Sequence, residues 1–478
     1  MRAALLFLAA SIFGINRPHA AGDVKIKLHG QGWTDIGRII HVTDTLVNNV
    51  NGNWQQSAGA QFTAKASIGE DWVGAFGFGG YQVNSSLGQA GDARLVRSAL
   101  QNFITESRMT YFRGGQEDPW FTVTFGNFPF IYNKDTKNLG SYLLRGPVYP
   151  GFLTGGFKDF LIDSTKGNVL GLNIHQAIGN FSHDLVFANE RELPPTGDWS
   201  AAYLARYKAF GALEFGGGIN FYRILPNNED LTTPSKRFYA SDSSLIHDGK
   251  SHHPYDYQYI EVDTVTHDTV FYTHQGVKLM GLFSLDLKSV FGISSMGAND
   301  LKLYGEAAVL GVRNYGSVYN NIKERIPWTL GFNFPTWGLL DFLSVEVEYY
   351  GARYRNDLGK LGNFNTLGGG IFLYAPNNPA PIPSPVPVSY RNYKILEDGT
   401  VSVQGTNLDV QNMIQDDWKW SVYLERNVLE HIRFIGQVAN DHYRPRPTAG
   451  LIQESGGNAE AFSSLKDWYW MFRVGYYF

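Results

Sequence analysis

The chain of 478 residues contains no cysteine, which excludes disulfide bridges, thiolate metal clusters and thiol chemistry. Charged residues make up only 18% and form no basic block, so nucleic acid is not an expected partner. After the first 20 residues, no stretch approaches the ~18 uninterrupted apolar residues that a membrane-spanning helix needs. Glycine, with 53 residues, and aromatic side chains, at 15%, are abundant instead. This composition excludes a disordered chain and indicates β-strands without a large soluble core.

The N-terminal segment has the proportions of a secretory signal peptide. One early charge, Arg2, precedes an apolar run from Ala3 to Ile15, and alanines at positions 20 and 21 offer a cleavage site. A buried N-terminal helix is the alternative. We therefore expect residues 1–21 to be removed on export and residues 22–478 to form the mature protein.

The C-terminal segment shows the clearest alternation of apolar and mixed positions, which is typical of a strand with two different faces. The apolar face carries Trp468, Trp470, Phe472, Val474, Tyr476 and Phe478. The same period of two predicts strands at about 24–33, 58–69, 72–83, 101–113, 119–127, 167–178, 180–190, 198–209, 213–224, 268–287, 300–312, 326–334, 340–354, 416–427, 431–442 and 466–478. Sixteen strands are expected, with fourteen or eighteen as alternative counts.

The connections between these strands differ in length according to their position in the chain. Those after even-numbered strands are short, and most of those after odd-numbered strands are long. Short turns at one end and long loops at the other are typical of outer-membrane barrels, whereas a soluble β-sandwich or propeller has no reason for such sorting. We predict an all-β fold, a transmembrane antiparallel β-barrel with short periplasmic turns and long extracellular loops. Sixteen strands would leave a water-filled lumen.

These features resemble the bacterial general porins and their substrate-specific relatives. The matching features are the signal peptide, the strand count, the terminal Phe478 with Tyr476, and the long loop after the fifth strand. The resemblance implies a location in the outer membrane among lipid and lipopolysaccharide, and a homotrimer. It also implies that the outer-membrane assembly machinery reads Tyr476 and Phe478. Arg473 departs from the family, which usually has glycine five residues before the final Phe.

The loop 128–166 is the candidate pore-constricting loop, because the third loop of general porins folds into the barrel. Its composition is too apolar for a solvent-exposed loop and too rich in Pro and Gly for a strand. A loop folded over the barrel mouth or into a subunit contact is the alternative. Its candidate constriction charges are Lys134, Asp135, Lys137, Arg145, Lys158 and Asp159.

The inward phase of the predicted strands supplies the other candidate pore-lining residues. They are Glu106, Arg108, Arg206, Lys208, Glu346, Glu348, Arg433 and Arg473. Eleven inward cations against nine inward anions do not distinguish anion from cation selectivity, but a transverse field across the constriction is expected.

The predicted function is passive diffusion of small hydrophilic solutes or ions through the lumen, without catalysis and without a cofactor or metal. One alternative is a surface adhesin or binding protein that uses the long extracellular loops 225–267 and 355–415. A barrel enzyme is a further alternative, although no nucleophile and base can be paired from the sequence.

Overall fold

The structure is a computed structural model. It describes residues 24–43, 51–52, 54–86, 96–144, 168–189, 197–225, 246–247, 250–255, 258–263, 265–266, 269–272, 276–312, 322–349, 371–373, 385–387, 393–395, 401–403, 406–408, 418–441, 462 and 464–478.

Sixteen antiparallel strands form a closed barrel, as predicted. They are β1 (Val24–His41), β2 (Trp54–Ile68), β3 (Trp72–Ser86), β4 (Val96–Arg113), β5 (Phe121–Pro129), β6 (Asn168–Ile178), β7 (Phe181–Asn189), β8 (Trp199–Ala209), β9 (Leu213–Leu225), β10 (Gly276–Asp286), β11 (Lys302–Val309), β12 (Trp328–Asn333), β13 (Phe342–Tyr349), β14 (Trp418–Val428), β15 (Ile432–Asn440) and β16 (Trp468–Tyr477).

The barrel closes because β1 pairs with both β2 and β16. Gly32, for example, lies opposite Ala60 on β2 and opposite Tyr476 on β16. Closure removes the two free edges that an open sheet would expose, which matters because lipid cannot hydrogen-bond an unpaired strand.

The two faces of the barrel have the reverse polarity of a soluble protein. Outward positions carry exposed apolar side chains such as Phe76, Phe125 and Leu279. Inward positions carry buried polar side chains such as Asn220 and Ser344. An apolar outer surface is stable against hydrocarbon and costly in water, so this arrangement fits a barrel embedded in a bilayer.

The connections follow the predicted sorting, with short turns after even-numbered strands and long connections after most odd-numbered ones. One short connection contains the helix α1 (Leu287–Phe291), which Asp286 caps through the backbone amides of Lys288 and Ser289. A 3-10 turn, Ile322–Arg325, precedes β12. No helix among the described residues is long and apolar enough to cross a bilayer.

Two long loops contain small sheets of their own. The loop after β9 has a four-stranded sheet formed by Ile246–His247, Lys250–Tyr255, Gln258–Asp263 and Thr269–Tyr272. The loop after β13 has a pair, Ile371–Leu373 and Pro385–Pro387, and a three-stranded sheet, Tyr393–Ile395, Val401–Val403 and Thr406–Leu408. Pro385–Pro387 lies beside two strands of the first sheet.

Several predicted strand boundaries were wrong; β4, for example, begins at Val96 rather than at residue 101. The span 268–287 is not one strand, because Thr269–Tyr272 pairs with Gln258–Asp263 in the loop sheet and β10 begins only at Gly276. Unbroken alternation could not reveal that the two parts have different partners. β1 continues to His41 rather than ending near residue 33. Its pairing with β2 and β16 runs on although inward Ile39 and outward Arg38 break the alternation of polar and apolar side chains.

Several predictions concern residues that the structure does not describe. The predicted signal peptide 1–21 lies wholly outside the described residues. The loop 128–166 is described only to residue 144, and the loops 225–267 and 355–415 are described in part.

Candidate functional site in the barrel lumen

The chain beyond β5 packs against the inner wall of the barrel. We call residues 130–144 the inner segment. Its apolar side chains Tyr132, Tyr142, Leu143 and Leu144 are buried in one cluster with inward residues of β5–β8, β10 and β11. The wall residues of that cluster are Phe128, Val169, Val186, Ala188, Ala202, Leu204, Met280 and Ala308, with Leu310 just beyond β11. Apolar side chains are unfavourable in contact with water. The apolar part of the wall is the part that the inner segment covers, so both sets of side chains are shielded from water.

Three inward carboxylates hold six consecutive backbone amides of the inner segment. Glu346 accepts from the amides of residues 137, 138 and 139, and Glu348 accepts from Gly140 at 3.0 Å. Glu306 accepts from residues 141 and 142 at 3.2 and 2.8 Å. Charge-assisted bonds of this kind are stronger than neutral ones, and they supply partners for both the buried carboxylates and the irregular backbone.

Tyrosine and asparagine side chains complete the shell around these carboxylates. Tyr132 donates to Glu306 at 2.6 Å, Tyr142 donates to Glu348 at 2.8 Å, and Tyr304 donates to Glu346 at 3.0 Å. Asn133 adds a further donor to Glu306; all three carboxylates are at most 3% exposed.

Gly140 gives the inner segment a close approach to the wall. It has φ +80°, in the left-handed region, and a Cβ there would lie 2.9 Å from the Thr329 methyl group. Both the conformation and the contact favour glycine, so this position sets how closely the segment packs on β12.

Strands other than β11 and β13 also form hydrogen bonds with the inner segment. Arg206 on β8 donates to the carbonyl of Tyr132 at 3.0 Å, and Asn220 on β9 donates to the carbonyl of Leu143 at 2.9 Å. Asn138 donates to Ser421 on β14 and to Asp441 after β15. The segment is therefore attached to strands on both sides of β11.

The charged side chains of the inner segment also contact the wall. Asp135 accepts from Lys302 on β11 at 2.6 Å. The Lys137 ammonium lies 3.9 Å from the centre of the Phe342 ring, which is a cation–π contact. Lys134 is exposed. The other predicted loop charges, Arg145, Lys158 and Asp159, lie outside the described residues.

The predicted cationic wall residues are mostly paired rather than clustered at one point. Arg108 binds Glu106 at 2.8 Å, and Arg433 binds Glu425 at 2.7 Å. Arg206 binds Asp184 at 3.1 Å in addition to the inner segment. Lys208 is exposed near the short-turn end, opposite Glu214 in register.

Arg473 belongs to the seam that closes the barrel. Its guanidinium donates to both oxygens of Asp35 on β1, at 2.6 and 3.1 Å. Ser57 on β2 donates to the same carboxylate at 2.9 Å, so three neighbouring strands meet at one buried group.

The C-terminal aromatic residues lie on the outer surface of the same seam. Phe478 forms two backbone hydrogen bonds with Gly30, and its ring packs on that glycine and on Phe62. The Tyr476 ring stacks against Phe478, and both side chains are more than half exposed.

A second loop reaches the inner wall near the long-loop end. Lys419 on β14 donates to the backbone carbonyl of Phe462 at 2.6 Å, and the Phe462 ring stacks on inward Tyr469. Asp467 is fully buried and accepts from the backbone and hydroxyl of Thr43. The strand pattern gave no signal for these contacts, because the partners are far apart in sequence.

Sequence reasoning also missed the central role of Glu306 and Asn220. Inward phase placed both in the lumen, since they alternate with outward Leu303, Gly305 and Ala307 or with Ile219 and Phe221, but it gave no sign of their contacts with the inner segment. No group of three or more His, Asp and Glu side chains among the described residues is arranged to hold a metal ion.

Several solved porin structures are similar to this chain in architecture. A complex of Salmonella typhi OmpF with daunomycin has a TM-score of 0.43 and 9% identity, and the match covers 95% of this chain and 98% of that chain. A triple mutant of Rhodopseudomonas blastica porin has a TM-score of 0.38 and 8% identity, with coverage of 95% and 100%. No family model and no curated protein matches this chain.

Proposed function

We propose that the protein is an outer-membrane porin, a passive and non-catalytic channel for small hydrophilic solutes or ions. The observation that carries the proposal is the polar inner wall of a closed sixteen-stranded barrel whose outer wall is apolar. A barrel of this size is wider than its own inward side chains can fill, so it can contain a water path.

The loop 128–166 is proposed as the constriction of that path. The inner segment contacts the inner wall from β8 to the end of β15. The three glutamates that bind its backbone are buried beneath it and do not line open space. On this proposal, Glu346 and Glu348 fix the position of the constriction, while exposed Lys134 and the partly exposed Lys302–Asp135 pair face the solute.

Planar-bilayer recording of the purified protein tests the channel. We expect stepwise single-channel conductance, and we expect deletion of residues 134–140 to increase the size of each step. Absence of steps from protein that is shown to be folded would reject the proposal.

The same preparation distinguishes the channel from a surface adhesin that uses the loops 225–267 and 355–415. The adhesin alternative is based on the small sheets that these two loops form, which contact each other. If the protein is a channel, deletion of residues 360–410 should leave its conductance intact. The adhesin would be favoured if the folded full-length protein never conducts and the deletion abolishes its binding to cell surfaces.

We propose three further properties with this function: export by residues 1–21, assembly through Tyr476 and Phe478, and a homotrimer among lipid and lipopolysaccharide. We propose the outward face of β1–β3 as the contact surface, where large apolar side chains such as Phe62, Phe76 and Phe78 lie among small ones. The small side chains let neighbouring barrels approach closely in lipid. Those residues are Gly32, Ala58, Ala60, Ala64, Ala66 and Gly74. In this cysteine-free chain, A60C should cross-link between copies and L279C, on the far wall, should not.

The export and assembly proposals are tested in cells. Deletion of residues 1–21 should leave the protein in the cytoplasm. Replacement of Phe478 by Ala should reduce the amount of folded protein in the outer membrane without preventing its export; normal amounts would contradict the proposed role in assembly.

A further inference from the structure

Among the residues that the structure describes, the inward acidic side chains of the strands all have contact partners. Each inward carboxylate on the described strands accepts a hydrogen bond or forms an ion pair with another described residue. They are Asp35, Glu106, Asp184, Glu214, Asp286, Glu306, Glu346, Glu348 and Glu425. Three of them hold the inner segment and are almost completely buried. A solute that passes the described strands therefore meets few free carboxylates.

Three inward lysines near the short-turn end have a different environment. Lys25 and Lys27 on β1 are exposed, and Lys65 on β2 is partly exposed. None of them forms an ion pair with another residue that the structure describes. All three share the inward phase of buried Asp35 on β1 or of buried Ser57 on β2. Lys25 and Lys27 lie at the short-turn mouth, on the part of β1 that extends past Phe478 and pairs with β2 alone.

The strand register places these charges in one row on neighbouring strands. Lys27 lies directly opposite Lys65, Lys65 lies opposite Ala75 on β3, and Ala75 lies opposite Arg108 on β4. Directly opposed side chains have Cβ atoms ~4.5–5.5 Å apart, and like charges at that separation destabilise the sheet. Arg108 shares its charge with Glu106, but no carboxylate on the described strands compensates Lys27 and Lys65.

We propose that this lysine row, Lys25, Lys27 and Lys65, makes the channel prefer small anions, including carboxylate- and phosphate-bearing solutes. The inference rests on the proposed channel function and adds its substrate class. A row of unpaired ammonium groups on a low-dielectric wall raises the local concentration of anions and lowers that of cations. The bound carboxylates on the opposite wall are covered by the inner segment and already accept hydrogen bonds from its backbone amides.

Acidic residues also lie at the short-turn end, but in a different position. Glu70, Glu117 and Asp118 are exposed in the turns after β2 and β4, beyond the strands. Bulk water and salt screen charges in turns more strongly than charges on the lumen wall. The E70Q/E117Q variant below measures what these turn carboxylates contribute.

Reversal potentials in a potassium chloride gradient test the proposal in planar bilayers. The wild-type channel should pass chloride in preference to potassium. The K27E/K65E variant should reverse that preference, whereas K466E, which replaces an exposed lysine at the opposite end, should retain it. E70Q/E117Q should leave the preference for chloride in place.

The outcomes separate this proposal from the channel function. Conductance with no preference, or with a preference for potassium, overturns the anion proposal and leaves the channel standing. A chloride preference that survives K27E/K65E overturns the assignment to the lysine row. If K27E/K65E does not fold, the neutral variant K27Q/K65Q provides the test, with an expected loss of chloride preference. Protein that gives no conductance contradicts the channel function itself.

Discussion

At the scale of single residues, the buried pair between Asp35 and Arg473 joins the first and last strands. The guanidinium side chain is 9% exposed and the carboxylate is fully buried. Bidentate geometry and the additional Ser57 donor make this an ion pair whose charges are fully satisfied. Removing one partner leaves the other charged and desolvated at the seam.

We therefore expect R473M to lower the free energy of unfolding by about 3 kcal/mol or more. The same substitution at Arg426, whose pair with Asp341 is exposed, should cost about 1 kcal/mol or less. Urea unfolding midpoints in lipid vesicles measure both. The double variant D35L/R473M should recover much of the loss, because no unpaired charge remains; equal costs for R473M and R426M would contradict the buried-pair interpretation.

At the scale of elements, the inner segment is a stretch of irregular chain held by side chains rather than by a β-ladder. Its amides find carboxylates on β11 and β13, and its carbonyls at Tyr132 and Leu143 find donors on β8 and β9. Glu346 alone accepts three consecutive amides, so it contributes most to fixing the segment's centre.

We expect E346Q to loosen the inner segment and to increase single-channel conductance. A glutamine has one acceptor oxygen, and its NH2 group would face the amide donors that the second carboxylate oxygen now binds. E214Q provides the matched control, because Glu214 is inward but partly exposed and lies in the short-turn half of β9. Unchanged conductance in a folded E346Q channel would show that the segment does not limit the path.

At the scale of the whole molecule, the polarity of the two faces decides where the barrel is stable. Outward Phe125 is 48% exposed, and inward Thr122 lies three residues away on the same strand. A lysine at the first position would enter hydrocarbon, and a lysine at the second would enter the lumen.

F125K should therefore reduce folding stability in lipid by about 2–4 kcal/mol near the bilayer midplane, and T122K by clearly less. Equilibrium refolding into vesicles provides the comparison. Equal losses for the two variants would be inconsistent with a membrane-embedded outer face.

The period-two pattern predicted most of the barrel because each strand has one face toward lipid and one toward the lumen. That constraint acts locally, so it was readable in β6, β9 and β16 without their neighbours. It failed where local pattern and pairing diverge, as at residues 269–272, which alternate like β10 but pair with a loop strand.

The candidate site was predictable only in outline. Inward phase identified Glu346, Glu348 and Arg206 as lumen residues, and composition identified the loop after β5 as a segment that must pack on something. Neither could show that the glutamates are covered by that segment, because the contacts join residues 164 and 208 positions apart.

The sequence by itself determined the barrel class, the outward face of most strands, and the end of the barrel that carries the long loops, whereas the structure fixed the count at sixteen among the expected alternatives. These properties depend on whether alternate side chains favour lipid or water. The residues of each strand show this preference without any information on the neighbouring strands. Only the tertiary structure decided which lumen charges are free. Pairing depends on register across the closed sheet and on the path of the inner segment, so the same inward phase contains buried Glu346, paired Arg473 and exposed Lys27.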